Sequence, residues 1–277
     1  MSVYGFRLEH HDKVAVVIFD RPERRNAFDE TMWRDLERVT AQLTQSLPRA
    51  VVVSGNGKAF CAGFDVNPDN PQVSSLIGAV EKKERGPIEA LIRRLQAAVE
   101  GLVSLPVPVI AAINGDAFGG GAELASRCDL RIMDPGARIC FSEARLGLMP
   151  DWGGGPGLTK LIGASAAADL ILTGRRIGAE EALSLGLINR VSGSGQALED
   201  ALDLAGTIAK NGPRAVRHAL AVIRRVRELP MQQALDLECS EAVELICSGE
   251  CMHGITAFLS KQEPVFPDIP SGGIPSD

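Results

Sequence analysis

Glycines and glutamates are the residues of this chain whose spacing best suits chemistry. Residues 110–124 read Ile-Ala-Ala-Ile-Asn-Gly-Asp-Ala-Phe-Gly-Gly-Gly-Ala-Glu-Leu. An apolar strand runs into a turn at Asn114–Gly115, then into three glycines, then into a helix. Glycine at a strand-to-helix junction lets backbone N–H groups approach a ligand closely. The helix start adds partial positive charge. Such a junction can hold a phosphate or a developing oxyanion, or it can serve as a tightly packed turn. No Gly-Lys-Ser/Thr follows, so it is not a P-loop, and the spacing is not the dinucleotide G-x-G-x-x-G. Glu123 sits in the first turn of that helix, where a carboxylate also complements the helix dipole. Glu143 follows after two short strands, just ahead of a glycine-rich stretch at Gly147–Gly155. It is a candidate second carboxyl for Glu123, although a carboxylate at the mouth of a strand is also an ordinary surface residue. A further glycine site lies at 58–65, Lys-Ala-Phe-Cys-Ala-Gly-Phe-Asp. There Ala62–Gly63 lets the backbone pass close to something bulky.

Periodicity shows which elements must position these groups. Val14–Phe19 reads as a strand that ends at Asp20-Arg-Pro22. Asp29 stands where an N-cap belongs, and Met32, Leu36, Val39 and Leu43 recur at helical spacing. Ala50–Ser54 is a second strand. Residues 66–87 carry Asn-Pro-Asp-Asn-Pro and the charge run Glu81–Arg85, and they read as a mobile, partly helical connection. A helix is expected over 88–105, strands over 107–113, 130–133 and 137–141, and a short helix over 122–128. From about residue 155 helices alone are expected, and no internal repeat is evident. An α/β core followed by a helical C-terminal portion is the fold class implied. The expected divisions are a core over 1–195, a helical region over 196–263 and a flexible tail over 264–277 rich in Pro, Gly and Ser.

Composition narrows the function. The chain has 277 residues, 45% hydrophobic and 23% charged, with a formal net charge of −6. That balance fits a globular protein and argues against nucleic-acid binding driven by charge. The six cysteines form no C-x-x-C pair and only four histidines are present, so neither a zinc site nor a disulfide framework is expected. A reducing cytoplasm is the default setting. The longest apolar stretch, Val107–Ile113, is far too short to span a bilayer.

Taken together, these motifs resemble the crotonase superfamily of enoyl-CoA hydratases and isomerases. The resemblance rests on Arg21-Pro-Glu-Arg-Arg-Asn-Ala27, residues 58–65, residues 112–124 with Cys128–Asp129, and Phe141-Ser-Glu-Ala-Arg-Leu-Gly-Leu-Met-Pro150. It continues over residues 172–191 and Gly254–Lys261. Single pieces are ordinary; the ordered set is specific and runs almost end to end.

The resemblance implies a crotonase-like spiral of β-β-α units with a helical C-terminal trimerisation region, as a homotrimer or dimer of trimers. It implies a coenzyme A thioester as substrate, with no tightly bound cofactor, no metal, no nucleic acid and no membrane. Glu123 and Glu143 match the two catalytic glutamates of the hydratases. The backbone N–H groups of Phe64 and Gly120 match the oxyanion hole. Arg24, Arg25, Ala27, Ala62, Phe64, Asp65 and Val66 match CoA-binding positions. Phe258 and Lys261 match positions that reach CoA from a neighbouring region or subunit. Some positions depart from the family pattern. Phe64 is bulkier than usual and Ser142 replaces a proline. Asp151–Trp152 replaces a smaller turn. Asp116 and Trp152 are expected near the acyl pocket. The paired glutamates favour hydration of an enoyl-CoA, or the reverse dehydration of a 3-hydroxyacyl-CoA, with a branched methylglutaconyl-type thioester within that class. A Δ3,Δ2-enoyl-CoA isomerase, needing one carboxyl, and a catalytically silent acyl-CoA-binding protein are the alternatives.

Overall fold

The computed structural model describes residues 2, 3 and 5–269. The chain opens with β1 (Ser2–Val3), β2 (Gly5–His11) and β3 (Val14–Asp20), then α1 (Glu30–Gln45), β4 (Ala50–Gly55) and β5 (Ala59–Cys61). Two helices follow, α2 (Pro71–Glu81) and α3 (Arg85–Val103). Next come β6 (Val109–Ile113), β7 (Asp116–Phe118), α4 (Gly120–Arg127), β8 (Leu130–Met133) and β9 (Arg138–Cys140). The remainder is α5 (Gly154–Ile162), α6 (Ala164–Thr173), β10 (Ile177–Gly178), α7 (Ala179–Ser184), β11 (Arg190–Val191), α8 (Ala197–Ala209), α9 (Pro213–Arg225), α10 (Met231–Cys247) and α11 (Cys251–Leu259).

The strands form two sheets. The larger runs β1-β2-β3-β4-β6-β8-β11, antiparallel at its first two pairings and parallel from β3 onward. The smaller runs β10-β9-β7-β5. The chain alternates between them. A strand of the large sheet (β4, β6, β8) is followed by one of the small sheet (β5, β7, β9) and then by helix. This is the β-β-α spiral. The repeat is structural, and its copies differ enough in residue type to leave no repeat in the sequence.

Alternation explains why the large sheet is buried on both faces. Ala15, Val17 and Phe19 of β3 point into the main core with α1 and α3. Val14, Val16 and Ile18 point the other way, into a second core closed by α8. Successive strand side chains face opposite sides, so an unbroken apolar run such as 14–19 requires a cover on each face. On α8 the cover is Ala201, Ala205 and Ala209, one turn apart and buried. Their small side chains let the helix lie close on the sheet. Thus α8, which opens the helical region expected from residue 196, covers the second core. Helix α1 starts where Asp29 accepts from the N–H groups of Thr31 and Met32 at 3.0 and 2.9 Å.

Two segments differ from expectation. The connection 66–87 is not a loose link. Asn70 caps α2 by accepting from Gln72 N at 3.1 Å, Pro71 takes the first helical position, and α3 begins at Arg85. The expected tail is held over 264–269, where Arg49 donates to Phe266 O and to Asp268 at 2.6 and 2.8 Å; residues 270–277 lie outside the described residues. Helices α10 and α11 contribute no buried residue. No single helix among the described residues is long and apolar enough to cross a membrane.

Candidate active site

The Arg21–Ala27 loop is pinned before it reaches the site. Asn26 is fully buried; it accepts from Arg21 N at 2.9 Å and donates to Ala59 O at 2.7 Å. Arg25 and Asn26 both adopt positive φ there. Arg21 then binds Asp65 at 2.7 Å and Asp29 at 3.1 Å, tying this loop to the segment after β5. Phe28 lies alongside that segment as a parallel bridge to Phe64. Its N–H donates to Gly63 O at 2.8 Å, and its carbonyl accepts from Asp65 N at 2.9 Å. In such a bridge the intervening N–H points away from the partner. The N–H of Phe64 therefore faces the opposite side.

That side is occupied by the start of α4. Gly63 has φ +88°, and a Cβ there would lie 2.7 Å from Gly120 N. A Cβ on Gly121 would lie 2.2 Å from Cys61 O, and one on Gly120 would lie 2.5 Å from the Trp152 ring. These approaches are closer than any side chain tolerates, so the glycines are required by packing. Gly120 opens α4, where backbone N–H groups have no intrahelical acceptor. Among the described residues neither the Phe64 nor the Gly120 N–H has a hydrogen-bond acceptor. Two free donors thus stand side by side.

Glu123 is buried one turn into α4. Its Oε2 accepts from Trp152 N and Gly154 N, both at 2.8 Å, and its Oε1 from Asp151 N at 3.2 Å. Glu143, at the end of the segment that leaves β9, is also buried, and neither of its oxygens has a hydrogen-bond partner. Burial pushes the Glu123 carboxyl up to about 8, helped by the negative charge of Glu143. Burial raises Glu143 as well. The pair is best treated as one unit that keeps a proton at neutral pH. Asp151, half-buried beside them, is raised by burial too.

These groups line one cavity of about 210 Å3. It brings together Glu123, Glu143, Gly120, Ala62, Phe64, Val66 and Trp152. The Trp152 ring packs edge-on to Trp33 at 4.5 Å and against Phe28 at 5.5 Å, so it forms the cavity floor. Asp116 does not belong to this lining: its carboxylate pairs with Arg138 at 2.7 Å. The Asp65 carboxylate is likewise turned inward, onto Arg21 and Asn67. Arg24 binds Asp69 at 2.6 Å. Arg25 contributes its carbonyl, which accepts from Ala62 N at 3.0 Å, and the carbonyl of Ala27 accepts from Arg21. Phe258 is exposed on α11, and Lys261 follows that helix; neither lines the cavity. Asp151 and the apolar wall from α2, α3 and residues 146–149 were not anticipated as site residues. An aspartate in a glycine-rich turn was the available signal for Asp151; the wall has the same spacing as any core helix.

Two free N–H donors beside a proton-sharing carboxyl pair can stabilise an oxyanion while moving protons. The family model for enoyl-CoA hydratase/isomerase matches residues 9–269. The chain belongs to the enoyl-CoA hydratase/isomerase family. Within that family it is 33% identical over 266 residues to the short-chain-enoyl-CoA hydratase of Clostridium acetobutylicum, covering 95% of this chain and 97% of that one. It is 32% identical over 262 residues to the enoyl-CoA isomerase/hydratase fer4 of Mycosarcoma maydis, covering 90% and 91%. The crystal structure of an enoyl-CoA hydratase from Bacillus anthracis superposes with a TM-score of 0.86 at 30% identity, over 95% of this chain and 98% of that one.

Proposed function

We propose that this enzyme adds water reversibly across the double bond of an α,β-unsaturated acyl-CoA. The observation that carries the reading is the meeting of two unpaired backbone N–H groups with two buried carboxyls in one cavity. When water attacks the β-carbon, negative charge collects on the thioester oxygen. The N–H groups of Phe64 and Gly120 would receive that oxygen, and each such donor is typically worth ~10²–10³ in rate. A base must take the proton that water sheds, and an acid must deliver one to the α-carbon. In this reading Glu123, fixed by three backbone N–H groups, helps activate the water. Glu143, with both oxygens free, exchanges the α-proton. One proton shared by the pair suits this division, because one carboxyl must be ionised and one neutral.

The CoA moiety is assigned to the Arg21–Ala27 loop and the segment after β5. Arg24 and Arg25 offer the guanidinium groups suited to phosphates. Phe258 and Lys261, which do not line the cavity, are assigned to reach CoA from a neighbouring region or subunit, in a homotrimer or dimer of trimers. The exposed apolar residues of α10 and α11, among them Met231, Ile246, Met252 and Phe258, support that assembly.

The test is loss of the conjugated enoyl-thioester absorbance with crotonyl-CoA, for wild type, Glu123→Gln and Glu143→Gln. Turnover by wild type and losses of roughly 10²–10⁴ in both variants are expected. Retained activity in one variant would favour the single-carboxyl isomerase. Binding without any turnover would favour the silent acyl-CoA-binding protein.

A further inference from the structure

Three carboxyls enter the cavity and the proposed hydration uses two. The third, Asp151, is held in place by its own backbone. Its N–H donates to Glu123 at 3.2 Å, and its carbonyl accepts from Gln96 of α3 at 2.9 Å. The backbone of Asp151 is thereby fixed between Glu123 and α3, and its charge lies near enough to both glutamates to raise them. No Lys, Arg or His is among the described residues that line the cavity. Arg85 and Arg93 line a separate hollow on the outer side of α3, with Ile88 and Ile92 between, and Arg93 is bound by Glu89 at 2.7 Å.

The rest of the wall is apolar. Leu76, Ile88, Leu91 and Ile92 come from α2 and α3, and Leu148 and Met149 from the turn that follows Glu143. Leu148 and Met149 are 61% and 71% exposed although they line the cavity. Their apolar surface is therefore available to a ligand rather than spent on the core.

We propose that Asp151 sets the acyl specificity: the cavity accepts uncharged, apolar acyl chains, and Asp151 excludes chains that end in a carboxylate. The proposal rests on the reading of this cavity as an acyl-CoA site. A second carboxylate entering here would lose its water and find no cation to replace it. It would also meet the Asp151 carboxyl, which repels it when ionised and offers it no positive charge when neutral, a selection against one class of ligand. An apolar chain of the same length meets only Leu, Ile and Met. A branched methylglutaconyl-type thioester, with its distal carboxylate, falls in the rejected class.

The experiment pairs two chains of one length, trans-2-hexenoyl-CoA and the mono-CoA thioester of trans-2-hexenedioic acid. Turnover of both is measured for wild type and Asp151→Asn. Binding of the saturated counterparts, hexanoyl-CoA and adipoyl-CoA, is measured by calorimetry on the same proteins. We expect wild type to favour the methyl-ended chain by roughly 100-fold in kcat/KM and in affinity. Asp151→Asn should narrow both ratios at least about tenfold. Each ratio is taken within one protein, so a general loss of activity in the variant does not disturb it. Equal use of the two chains by wild type, or ratios unchanged in Asp151→Asn, overturns the proposal. No turnover of either chain, with hexanoyl-CoA still bound more tightly, breaks the hydration reading and leaves the selectivity standing. Binding of neither thioester overturns both.

Discussion

The floor and the wall of the cavity are built in opposite ways. The floor is Gly63, Gly119–Gly121, Glu123 and Trp152, where Gly63 and Gly121 meet backbone and Gly120 meets the Trp152 ring with no room for a Cβ, and Gly119 takes a positive φ. Glu123 and Trp152 are almost wholly buried there, and three backbone N–H groups fix the carboxylate. The wall is α2, α3 and residues 146–149, where Leu91 and Ile92 are only half-buried and Leu146, Leu148 and Met149 stand exposed, so apolar surface is left facing the cavity. The difference follows from the two jobs. Stabilising charge in a transition state requires donors that are already in place, because moving them at the moment of reaction costs energy. Holding an acyl chain requires only apolar area, which is non-directional. Tight geometry belongs to the first and loose fit to the second.

If that contrast is right, damage to the floor should cost chemistry out of proportion to size. Gly120→Ala adds one methyl group 2.5 Å from the Trp152 ring and must displace either the ring or the N–H beside it. We expect kcat to fall roughly 10²–10³ with KM changed far less. Steady-state kinetics on crotonyl-CoA, with a thermal melt to confirm folding, measures this. A variant as active as wild type would break the assignment of Gly120 as an oxyanion donor.

The floor should also be the part of the molecule that responds to pH. Glu123 is raised to about 8, first by burial and then by the charge of Glu143. Between the ordinary carboxyl value near 4.5 and about 8, the folded protein holds this proton while the unfolded chain does not. More protons bound in the folded state means that stability falls as pH rises through this window. The full shift corresponds to a loss on the order of 5 kcal/mol across it. Above about 8 the pair loses its shared proton, and kcat/KM should fall with it. Denaturant melts and a pH–rate profile on wild type and Glu123→Gln check both. The variant should flatten the stability slope in that window and remove the alkaline fall in rate.

The floor was legible in the sequence and the wall was not. Gly119–Gly121 with Glu123, Ala62–Gly63, and Glu143 each sit in a short contiguous motif whose residue types already restrict the backbone. The wall uses residues that carry no such mark. Leu91 and Leu95 recur at helical spacing, which reads equally well as core, and in fact Leu95 is buried while both touch the cavity. Helix α2 was hidden by two prolines and a charge run, although Asn70–Pro71 is a readable start for it. Asp65 shows the converse error. Its motif marks it as a site residue, yet its carboxylate points away from the cavity, onto the buried guanidinium of Arg21. A motif fixes where the backbone goes more firmly than where each side chain faces.

That buried pair supplies a test of how the floor is held. Asp65→Asn keeps the backbone bridge to Phe28 but removes the charge opposite Arg21, leaving Asp29 at 3.1 Å as its remaining carboxylate of the two close ones. Because Asp29 still faces the guanidinium, only one charge-assisted hydrogen bond is weakened, and a loss of about 1–2 kcal/mol is expected. Urea unfolding measures it. An unchanged midpoint would mean that Asn26 and the Phe28 bridge alone fix the loop.

The wall should answer in the opposite manner, with a small effect confined to chain preference. Ile92 lines the cavity from a half-buried position on α3. Ile92→Ala removes apolar area from the ligand, but it improves helix propensity by a few tenths of a kcal/mol, so stability should move by less than about 1 kcal/mol. Losing that contact matters more for a longer chain that reaches it than for a four-carbon one that stays near the carboxyls. The ratio of kcat/KM for trans-2-octenoyl-CoA over crotonyl-CoA should therefore fall about tenfold, the scale expected for a few methylenes in an apolar pocket. A uniform fall for both substrates would place Ile92 with the floor rather than the wall, and the division between rigid chemistry and loose chain-binding would have to be redrawn along α3.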